Sequence, residues 1–264
     1  MSKRVLITGA ASGIGAAAAA ELRSRGARVL GLDLNEGQDI IACDVRDQEA
    51  VNAAVAEAVD RLGGLDVLIN NAGIGTPQSA AAAPDAGALA VIDVNMLGPW
   101  RVTAAALPAL RESRGRVVNV ASGLAHLTIP FATAYCMSKK GVVAYSDALR
   151  LEQGGTIEVT TVYPGYIKTP IHDASAEEGM ALDGLVPEEP LNSAAGTLTR
   201  AALGRHVRDL ATTRRGTVSY ALARRAPRRV LDGLVGASMR RASRDGRFDS
   251  SAMAREFVER ARSR

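Results

Sequence analysis

The segment that most constrains the fold is LITGAASGIG, residues 6–15. An apolar, β-branched run at residues 5–7 ends at Thr8, three glycines follow, and an alanine-rich helical pattern then continues to Gly26. Glycine lets the backbone approach a ligand closely, and the first turn of a helix offers unpaired N–H groups with a positive dipole. The order of strand, glycine turn and helix therefore predicts a site for a dinucleotide pyrophosphate. A tight turn without a ligand is the alternative that this segment alone leaves open.

Composition places the chain among globular proteins. It has 264 residues, 47% of them hydrophobic, enough for one large domain or two small ones with a substantial core. No apolar run approaches the ~18 residues of a membrane span, and the first strand begins almost at the start of the chain. We therefore expect a cytoplasmic protein without a signal peptide. Cys43 and Cys136 form no metal or disulfide pattern and the three histidines are scattered, so we expect no metal site.

Strand and helix patterns alternate along the chain after this first unit. Helices are predicted at 47–62, 85–111 and 133–152, and the second of them is expected to kink near Gly98–Pro99. Further strands are predicted at 28–33, 40–42, 67–70, 116–120 and 157–163, and a last one within 205–212. Strands separated by helices pair in parallel through right-handed crossovers, with helices on both faces. The pattern predicts an α/β fold with a Rossmann-type doubly wound parallel sheet in three α/β/α layers. Ligands are expected at the carboxyl ends of its strands.

The last quarter of the chain is strongly basic. Residues 200–264 hold 17 arginines and six acidic residues, a net charge of +11, whereas residues 1–199 carry −7. Opposite many of these arginines lies an apolar stripe with helical spacing, formed by Val230, Leu231, Leu234, Val235 and Met239. Asp249 or Ser250 is a candidate cap for a last helix that carries Met253, Phe257 and Val258. Residues 214–264 are thus predicted to be a helical, arginine-rich C-terminal extension of the single domain.

Composition leaves several locations open for this extension. It can pack on its own domain or on a sister subunit, or lie as a peripheral contact on an anionic membrane. Nucleic acid is disfavoured because aromatic residues for base stacking are nearly absent. We predict that the extension covers the substrate entrance or a subunit interface, since burying each apolar side chain of the stripe stabilises by roughly 1.5–3 kcal/mol.

Asp33 closes the second predicted strand. A carboxylate there accepts hydrogen bonds from the hydroxyl groups of an adenosine ribose and repels a 2′-phosphate. No basic residue compensates nearby, since Leu34 follows Asp33 and Ser12 stands just before Gly13. The sequence therefore predicts NAD(H) in preference to NADP(H), with an aspartate that merely caps a turn as the alternative.

Ser122, Tyr135 and Lys139 form the most informative constellation. Ser122 follows a predicted strand, and Tyr135 and Lys139 are four residues apart on one face of a helix. A free tyrosine has a pKa of about 10, too high for a base at neutral pH, and a nearby ammonium lowers it. We therefore predict that Lys139 depresses the pKa of Tyr135. Asn95 falls within a predicted helix, where asparagine is unfavourable unless its side chain has a partner.

Together these motifs resemble the classical short-chain dehydrogenase/reductase family over residues 3–170. The resemblance rests on T-G-x-x-x-G-I-G at 8–15, CDVRD at 43–47, NNAG at 70–73, IDVNMLG at 92–98, the Ser122–Tyr135–Lys139 set and PGYIKT at 164–169. It implies that Tyr135 exchanges a proton with the substrate oxygen and that Ser122 hydrogen-bonds that oxygen. Lys139 would bind the nicotinamide ribose, and Asn95 would link Lys139 to solvent through water. Hydride would pass between the substrate carbon and the nicotinamide.

The same resemblance implies a cofactor site distributed over five strand ends. Its members are Gly9, Ser12, Gly13, Ile14, Gly15, Asp33, Asp44, Val45, Asn71, Ala72, Gly73, Tyr135, Lys139, Pro164, Gly165, Ile167 and Thr169. Residues 170–200 are predicted to form a substrate lid, with a plain surface loop as the alternative. We expect His126 and Leu127 to line the pocket and Met137 to lie near the cofactor, while His172 faces either substrate or solvent.

The predicted function is an NAD(H)-dependent oxidoreductase that interconverts a lipophilic secondary alcohol and its ketone or aldehyde, and that assembles as a dimer or tetramer. Two alternatives stay open: an NADPH-dependent carbonyl or 3-oxoacyl reductase, and a nucleotide-binding scaffold without turnover. An extended-family epimerase is a weaker rival, since its substrate domain needs more length than remains after Thr169. The intact Ser122–Tyr135–Lys139 set argues against the scaffold.

Overall fold

A single parallel sheet forms the centre of the computed structural model, which describes residues 2–180 and 187–263. Its strands occur in the order β3-β2-β1-β4-β5-β6-β7, and each neighbouring pair is parallel. The strands are β1 Arg4–Thr8, β2 Arg28–Asp33, β3 Ile40–Ala42, β4 Val67–Asn70, β5 Arg116–Val120, β6 Glu158–Tyr163 and β7 Asp209–Ala211. The predicted doubly wound sheet is confirmed. The strand order reverses between β1 and β4, which opens a crevice for a ligand at their carboxyl ends.

Helices cover both faces of this sheet. They are α1 Gly13–Ser24, α2 Gln48–Leu62, α3 Ala86–Ile92, α4 Gly98–Ser113, α5 Thr133–Gln153, α6 Asp173–Glu177 and α7 Leu191–Leu203. Successive side chains of a strand point to opposite faces, and β1 shows the consequence. Leu6 belongs to a core formed with α2, α4 and α5, whereas Ile7 belongs to a core formed with α1 and α7. The three-layer α/β/α arrangement is therefore confirmed.

The predicted ends of α2 follow from local capping chemistry. The Asp47 carboxylate accepts hydrogen bonds from the N–H groups of Glu49 and Ala50, at 2.8 and 3.1 Å. Gly63 ends the helix in the left-handed region, with φ of 71°. A side-chain acceptor at the start and a glycine at the end are the common signals for a helix of this length.

The long helix predicted at 85–111 is interrupted earlier than expected. α3 ends at Ile92, a π-helical segment spans Asp93–Leu97, and α4 then begins at Gly98. The distortion therefore lies before the Gly98–Pro99 pair. It contains Asn95, whose side chain bonds across to Ile74. Single π-helical turns within α-helices occur frequently at functional sites.

The predicted lid, residues 170–200, is not one unit. Pro170–His172 forms a short 3₁₀ turn that continues into α6, whereas α7 packs against α1 and contributes Ala195 and Leu198 to the core. The lid prediction is therefore wrong for residues 191–200. Residues 181–186 of the predicted lid lie outside the described part of the chain.

The arginine-rich extension folds into three helices, α8 Arg214–Arg225, α9 Arg228–Arg244 and α10 Arg255–Arg262. Its predicted stripe is divided: Met239 is buried and Val235 packs beside it, but Val230 and Leu234 are 47% and 65% exposed. In the single chain the stripe is therefore buried only in part, and the predicted burial of the rest in a subunit interface stays a prediction. Within the described residues, no helix is long and apolar enough to cross a membrane.

The predicted cap of the last helix is also wrong. α10 starts after Ala254, without a side-chain cap, and not at residue 249 or 250. The Asp249 carboxylate binds the Arg262 guanidinium at 2.6 Å instead. The Asp249 carboxylate is therefore occupied by the guanidinium of Arg262 and does not accept a hydrogen bond from a backbone N–H at the start of a helix.

Candidate active site

The glycine turn follows β1 at the point where the strand order reverses. Gly9 has φ of 68°, in the left-handed region, and a Cβ on Gly15 would overlap the Gly9 carbonyl. The Asn71 side chain donates hydrogen bonds to the carbonyl oxygens of Thr8 and Gly9, at 3.0 and 3.2 Å. The Thr8 hydroxyl accepts from the N–H of Ala72 at 2.9 Å. The first asparagine after β4 therefore fixes the glycine turn, and its contact with a cofactor stays a prediction.

The start of α1 has the form of an anion site. Gly13 has φ of 52°, and a Cβ there would lie 3.3 Å from the Cγ2 atom of Thr169. Ser12 occupies the position before the helix, and its side chain makes no capping hydrogen bond. The turn thus brings backbone N–H groups without a side-chain cap close to the segment at 164–169. These features fit a dinucleotide pyrophosphate held by Ser12, Gly13, Ile14, Gly15 and Thr169.

Asp33 and Asp44 lie at the ends of β2 and β3. The Asp33 carboxylate accepts hydrogen bonds from the N–H groups of Ala11 and Leu34, at 2.9 and 2.8 Å. It is thus fixed beside the glycine turn, where the ribose contact is predicted. Asp44 pairs with Arg46 at 2.6 Å, and the hydrogen bond from that guanidinium lowers the pKa of Asp44 although burial opposes the shift.

The catalytic candidates converge at the ends of β4 and β5. Ser122 is buried at the start of a 3₁₀ turn, Gly123–Ala125, and its Oγ accepts from the N–H of Leu124 at 3.1 Å. Lys139 Nζ lies 5.6 Å from the ring centre of Tyr135 and donates to the Val120 carbonyl at 3.1 Å. A Cβ on Gly73 would lie 3.6 Å from that Nζ. The fold therefore brings together residues from three segments.

Asn95 is fully buried and its side chain has several partners. Its Oδ1 accepts from the N–H of Ile74 at 2.8 Å, and its Nδ2 donates to the Ile74 carbonyl at 2.9 Å and to the Ser138 hydroxyl at 3.3 Å. This explains how asparagine is accommodated within a helix. Asn95 joins the segment after β4 to the helix that carries Tyr135 and Lys139.

The protonation equilibria differ from the prediction. Burial raises the pKa of the Tyr135 phenol to about 12, while a hydrogen bond with Ser122 opposes that shift. Burial also lowers the pKa of the Lys139 ammonium to about 8. The predicted depression of the Tyr135 pKa by Lys139 is therefore wrong for the chain by itself. Removal from water disfavours both charged groups, and this effect dominates at the separation observed.

An apolar cavity of about 60 Å³ opens beside Tyr135. Its lining includes Phe131, Ile171, His172, Met180, Met239 and Phe248. The last two side chains come from the extension, and Phe248 is 1% exposed. Phe131 packs edge-to-face on Phe257 of α10, with ring centres 5.6 Å apart. The extension therefore supplies part of the wall of this cavity.

The residues predicted to line the pocket, His126 and Leu127, do not line this cavity. His172 lines the cavity, but Leu124 and Ile129 line it where His126 and Leu127 were predicted. His126 instead lies between Tyr163 and Tyr220, with ring centres 4.7 and 5.6 Å away. The side chain of Met137, which was predicted to lie near the cofactor, is 58% exposed to solvent.

Sequence reasoning missed Phe248 as a cavity residue. The sequence did contain an indication that the extension contributes to an apolar site: the chain has only three phenylalanines, and two of them lie in the extension. All three meet in one apolar cluster with Met180 and Met239.

A glycine turn at the switch point of a parallel sheet, with a serine, a tyrosine and a lysine beside it, is the arrangement of a Rossmann-fold oxidoreductase. Comparison with known proteins agrees with this class. Residues 3–179 match the family described as short chain dehydrogenase. The chain belongs to the short-chain dehydrogenase family.

Two curated relatives illustrate the range within this family. Retinol dehydrogenase 16 of Homo sapiens is 40% identical over 186 residues, which cover 64% of this chain and 58% of that protein. A putative ketoacyl reductase of Streptomyces coelicolor is 36% identical over 225 residues, which cover 78% of this chain and 85% of that protein. The chain thus spans less than two thirds of the retinol dehydrogenase.

Solved structures show the same fold. A short chain dehydrogenase from Burkholderia cenocepacia in complex with NADP has a TM-score of 0.75 and 26% identity, covering 89% of this chain and 99% of that one. The aldohexose dehydrogenase of Thermoplasma acidophilum has a TM-score of 0.73 and 25% identity, covering 80% and 92%. The predicted family and fold are confirmed. The individual roles of the site residues stay predictions.

Proposed function

We propose that this protein is an NAD(H)-dependent oxidoreductase that interconverts a lipophilic secondary alcohol and its ketone. The observation that carries the proposal is the apolar cavity beside Tyr135, whose wall includes Phe131, Met239 and Phe248. An apolar wall favours substrates that bury hydrocarbon there. The relative named retinol dehydrogenase supports the same substrate class.

In this proposal each residue of the set has a separate task. Tyr135 exchanges a proton with the substrate oxygen, and the Ser122 hydroxyl donates a hydrogen bond to that oxygen. Lys139 binds the nicotinamide ribose, and Asn95 positions Lys139 and mediates its link to solvent. The bound dinucleotide supplies the hydride chemistry. The glycine turn and Asp33 orient the dinucleotide.

A homologous series of secondary alcohols tests the substrate class. We expect kcat/KM to rise roughly fourfold per added methylene until the cavity is filled, since burying a CH₂ group stabilises by about 0.8 kcal/mol. The rate is followed by NADH absorbance, and the reverse reaction by its loss with the matching ketones. A value of kcat/KM independent of chain length would contradict the lipophilic preference. Failure to oxidise or reduce any member would contradict the proposed activity.

Cofactor preference is tested at Asp33. We expect NADH to bind at least about tenfold more tightly than NADPH, a difference of about 1.4 kcal/mol. Asp33→Asn should narrow that ratio, because it removes the charge that repels a 2′-phosphate while keeping an oxygen acceptor. Asp60→Ala, at an exposed position of α2, is the control for loss of one negative charge. Fluorescence titration of both cofactors measures the ratio, and equal affinities in the wild-type protein would refute the preference.

Similarity to a ketoacyl reductase and to an NADP-bound structure favours one competing function, reduction with NADPH. The match to a putative ketoacyl reductase covers 85% of that protein, and one similar structure holds NADP. The competing proposal is an NADPH-dependent carbonyl or 3-oxoacyl reductase. Reduction of 3-oxoacyl thioesters with NADPH, faster than any turnover of the alcohol series with NAD, would support that function over the one proposed.

A further inference from the structure

Helix α8 of the extension packs directly on the turn that carries Ser122. A Cβ on Gly123 would collide with the Tyr220 hydroxyl, and it would also lie 2.7 Å from the Cζ atom and 2.8 Å from the Cε1 atom of the Tyr220 ring. Real side chains do not approach this closely, so the Tyr220 ring occupies the space that a residue with a side chain would need at position 123. The glycine after Ser122 and the tyrosine of α8 are therefore complementary in shape.

A backbone hydrogen bond to the segment after β6 also constrains the turn at Gly123. The N–H of Gly123 donates to the carbonyl of Pro164 at 2.8 Å, and Pro164 is the first residue of the 164–169 segment, which is predicted to contact the cofactor. The Ser122 hydroxyl accepts from the N–H of Leu124 within the turn and also shares a hydrogen bond with the Tyr135 phenol. Where this hydroxyl lies relative to Tyr135 thus depends in part on how firmly the backbone at Gly123 is confined.

Helix α8 is anchored independently of its contact with Gly123. The Thr213 hydroxyl accepts from the N–H of Gly216 at 3.0 Å and donates to the Glu189 carboxylate at 2.7 Å. The same carboxylate accepts from the N–H of Gly165 at 3.0 Å. The first turn of α8 is therefore tied to the segment after β6, one residue from Pro164.

The Tyr220 ring is fixed by neighbouring aromatic rings. Its centre lies 5.6 Å from that of His126 and 6.4 Å from that of Tyr163. The Tyr163 hydroxyl donates to Asp209 at 2.9 Å, and Arg224 of α8 lies 3.9 Å from the same aspartate. Aromatic pairs at these separations are attractive beyond their buried area, so the ring has one defined position.

We infer that Tyr220 is a positioning residue of the active site, which holds the Ser122 hydroxyl in place by confining Gly123. The inference rests on the proposed function of Ser122. It assigns to the extension a role in the reaction itself, besides its contribution to the cavity wall. Misplacement of a catalytic group by about 1 Å can cost about 100-fold in rate, so the effect is measurable.

The first test compares Tyr220→Ala with Tyr220→Phe. We expect Tyr220→Ala to lower kcat about 10- to 100-fold and to leave the Kd for NADH and the KM of the alcohol within about twofold. Tyr220→Phe keeps the ring and should retain at least about half of the wild-type kcat. Leu222→Ala, an exposed position of the same helix, controls for general loosening of α8.

The second test is a double-mutant cycle with Gly123. The methyl group of Gly123→Ala collides with the Tyr220 ring, so this variant alone should lose at least about tenfold in kcat. In the Tyr220→Ala background the methyl has room, and the same change should cost less than about threefold. Non-additivity of this size identifies a direct contact.

The outcomes separate this inference from the proposed function. If wild-type protein turns over the alcohols and Tyr220→Ala has an unchanged kcat per folded molecule, with only a lower melting temperature, Tyr220 is merely structural and the inference is overturned. Additive losses in the cycle overturn it as well. If the wild type turns over no alcohol or ketone while still binding NADH, the proposed function itself fails.

Discussion

Replacing Tyr135 by phenylalanine is expected to abolish turnover while the protein still binds NADH. Loss of a general acid or base typically costs 10²–10⁴-fold in rate, and the removed hydroxyl is the group that exchanges a proton with the substrate in the proposed mechanism. The ring remains, so the packing of Tyr135 against the apolar cluster of Ala88, Val91 and Ala134 persists. Steady-state kinetics and fluorescence titration measure the two quantities on the same preparation.

The same helix offers a matched control for this variant. Tyr145 lies ten residues further along α5 and stacks on Trp100 at 5.6 Å, away from Ser122 and Lys139. Tyr145→Phe should therefore keep nearly full activity. A Tyr135→Phe protein with more than about a tenth of wild-type activity would contradict the assigned mechanism.

Truncation after Thr213 is expected to have the second large effect. It removes Tyr220 from Gly123, and Met239 and Phe248 from the cavity wall, leaving Met180 and Phe131 exposed. Burial of each such side chain stabilises by roughly 1.5–3 kcal/mol. We therefore expect a lower melting temperature and at least about a 100-fold loss in kcat/KM for the longest alcohols. Calorimetry and the alcohol series measure these changes without any lipid present.

The exposed half of the stripe provides the control for this truncation. Val230→Ser and Leu234→Ser change side chains that are largely solvent-exposed in the single chain, so both variants should retain wild-type kinetics. A change of their oligomeric state in light scattering would place this face of α9 in a subunit interface. A truncated protein with unchanged melting, assembly and kinetics, but without binding to anionic phosphatidylserine vesicles, would make the extension a membrane attachment instead.

Predictions that depend on neighbours in sequence were the most accurate. The Asp47 cap, the Gly63 end of α2 and the shared helix of Tyr135 and Lys139 follow from backbone sterics and helical geometry, which act within a few residues. The alternation of strands and helices was equally informative, because parallel strands require crossovers of this kind. Family motifs then predicted a candidate site at the carboxyl ends of these strands.

The wrong predictions share a dependence on distant partners. Asp249 pairs with Arg262 and does not cap a helix, and the π-helical segment accommodates an asparagine bonded to Ile74. Burial raises the Tyr135 pKa although a lysine lies one turn away. Desolvation depends on the whole surrounding structure, so no spacing within α5 could indicate that the shift would be upward.

The sequence by itself determined the parallel sheet, the glycine turn and the candidate set Ser122, Tyr135 and Lys139. These features depend on local backbone sterics and on the spacing of motifs, both of which can be read from the order of the residues. Only the tertiary structure decided what surrounds that set. It placed Phe248 in the cavity wall and the Tyr220 ring over Gly123, contacts between residues about 100 or more positions apart. Their pairing depends on how α8 and α9 pack on the finished sheet, and packing of this kind is a property of the folded chain as a whole.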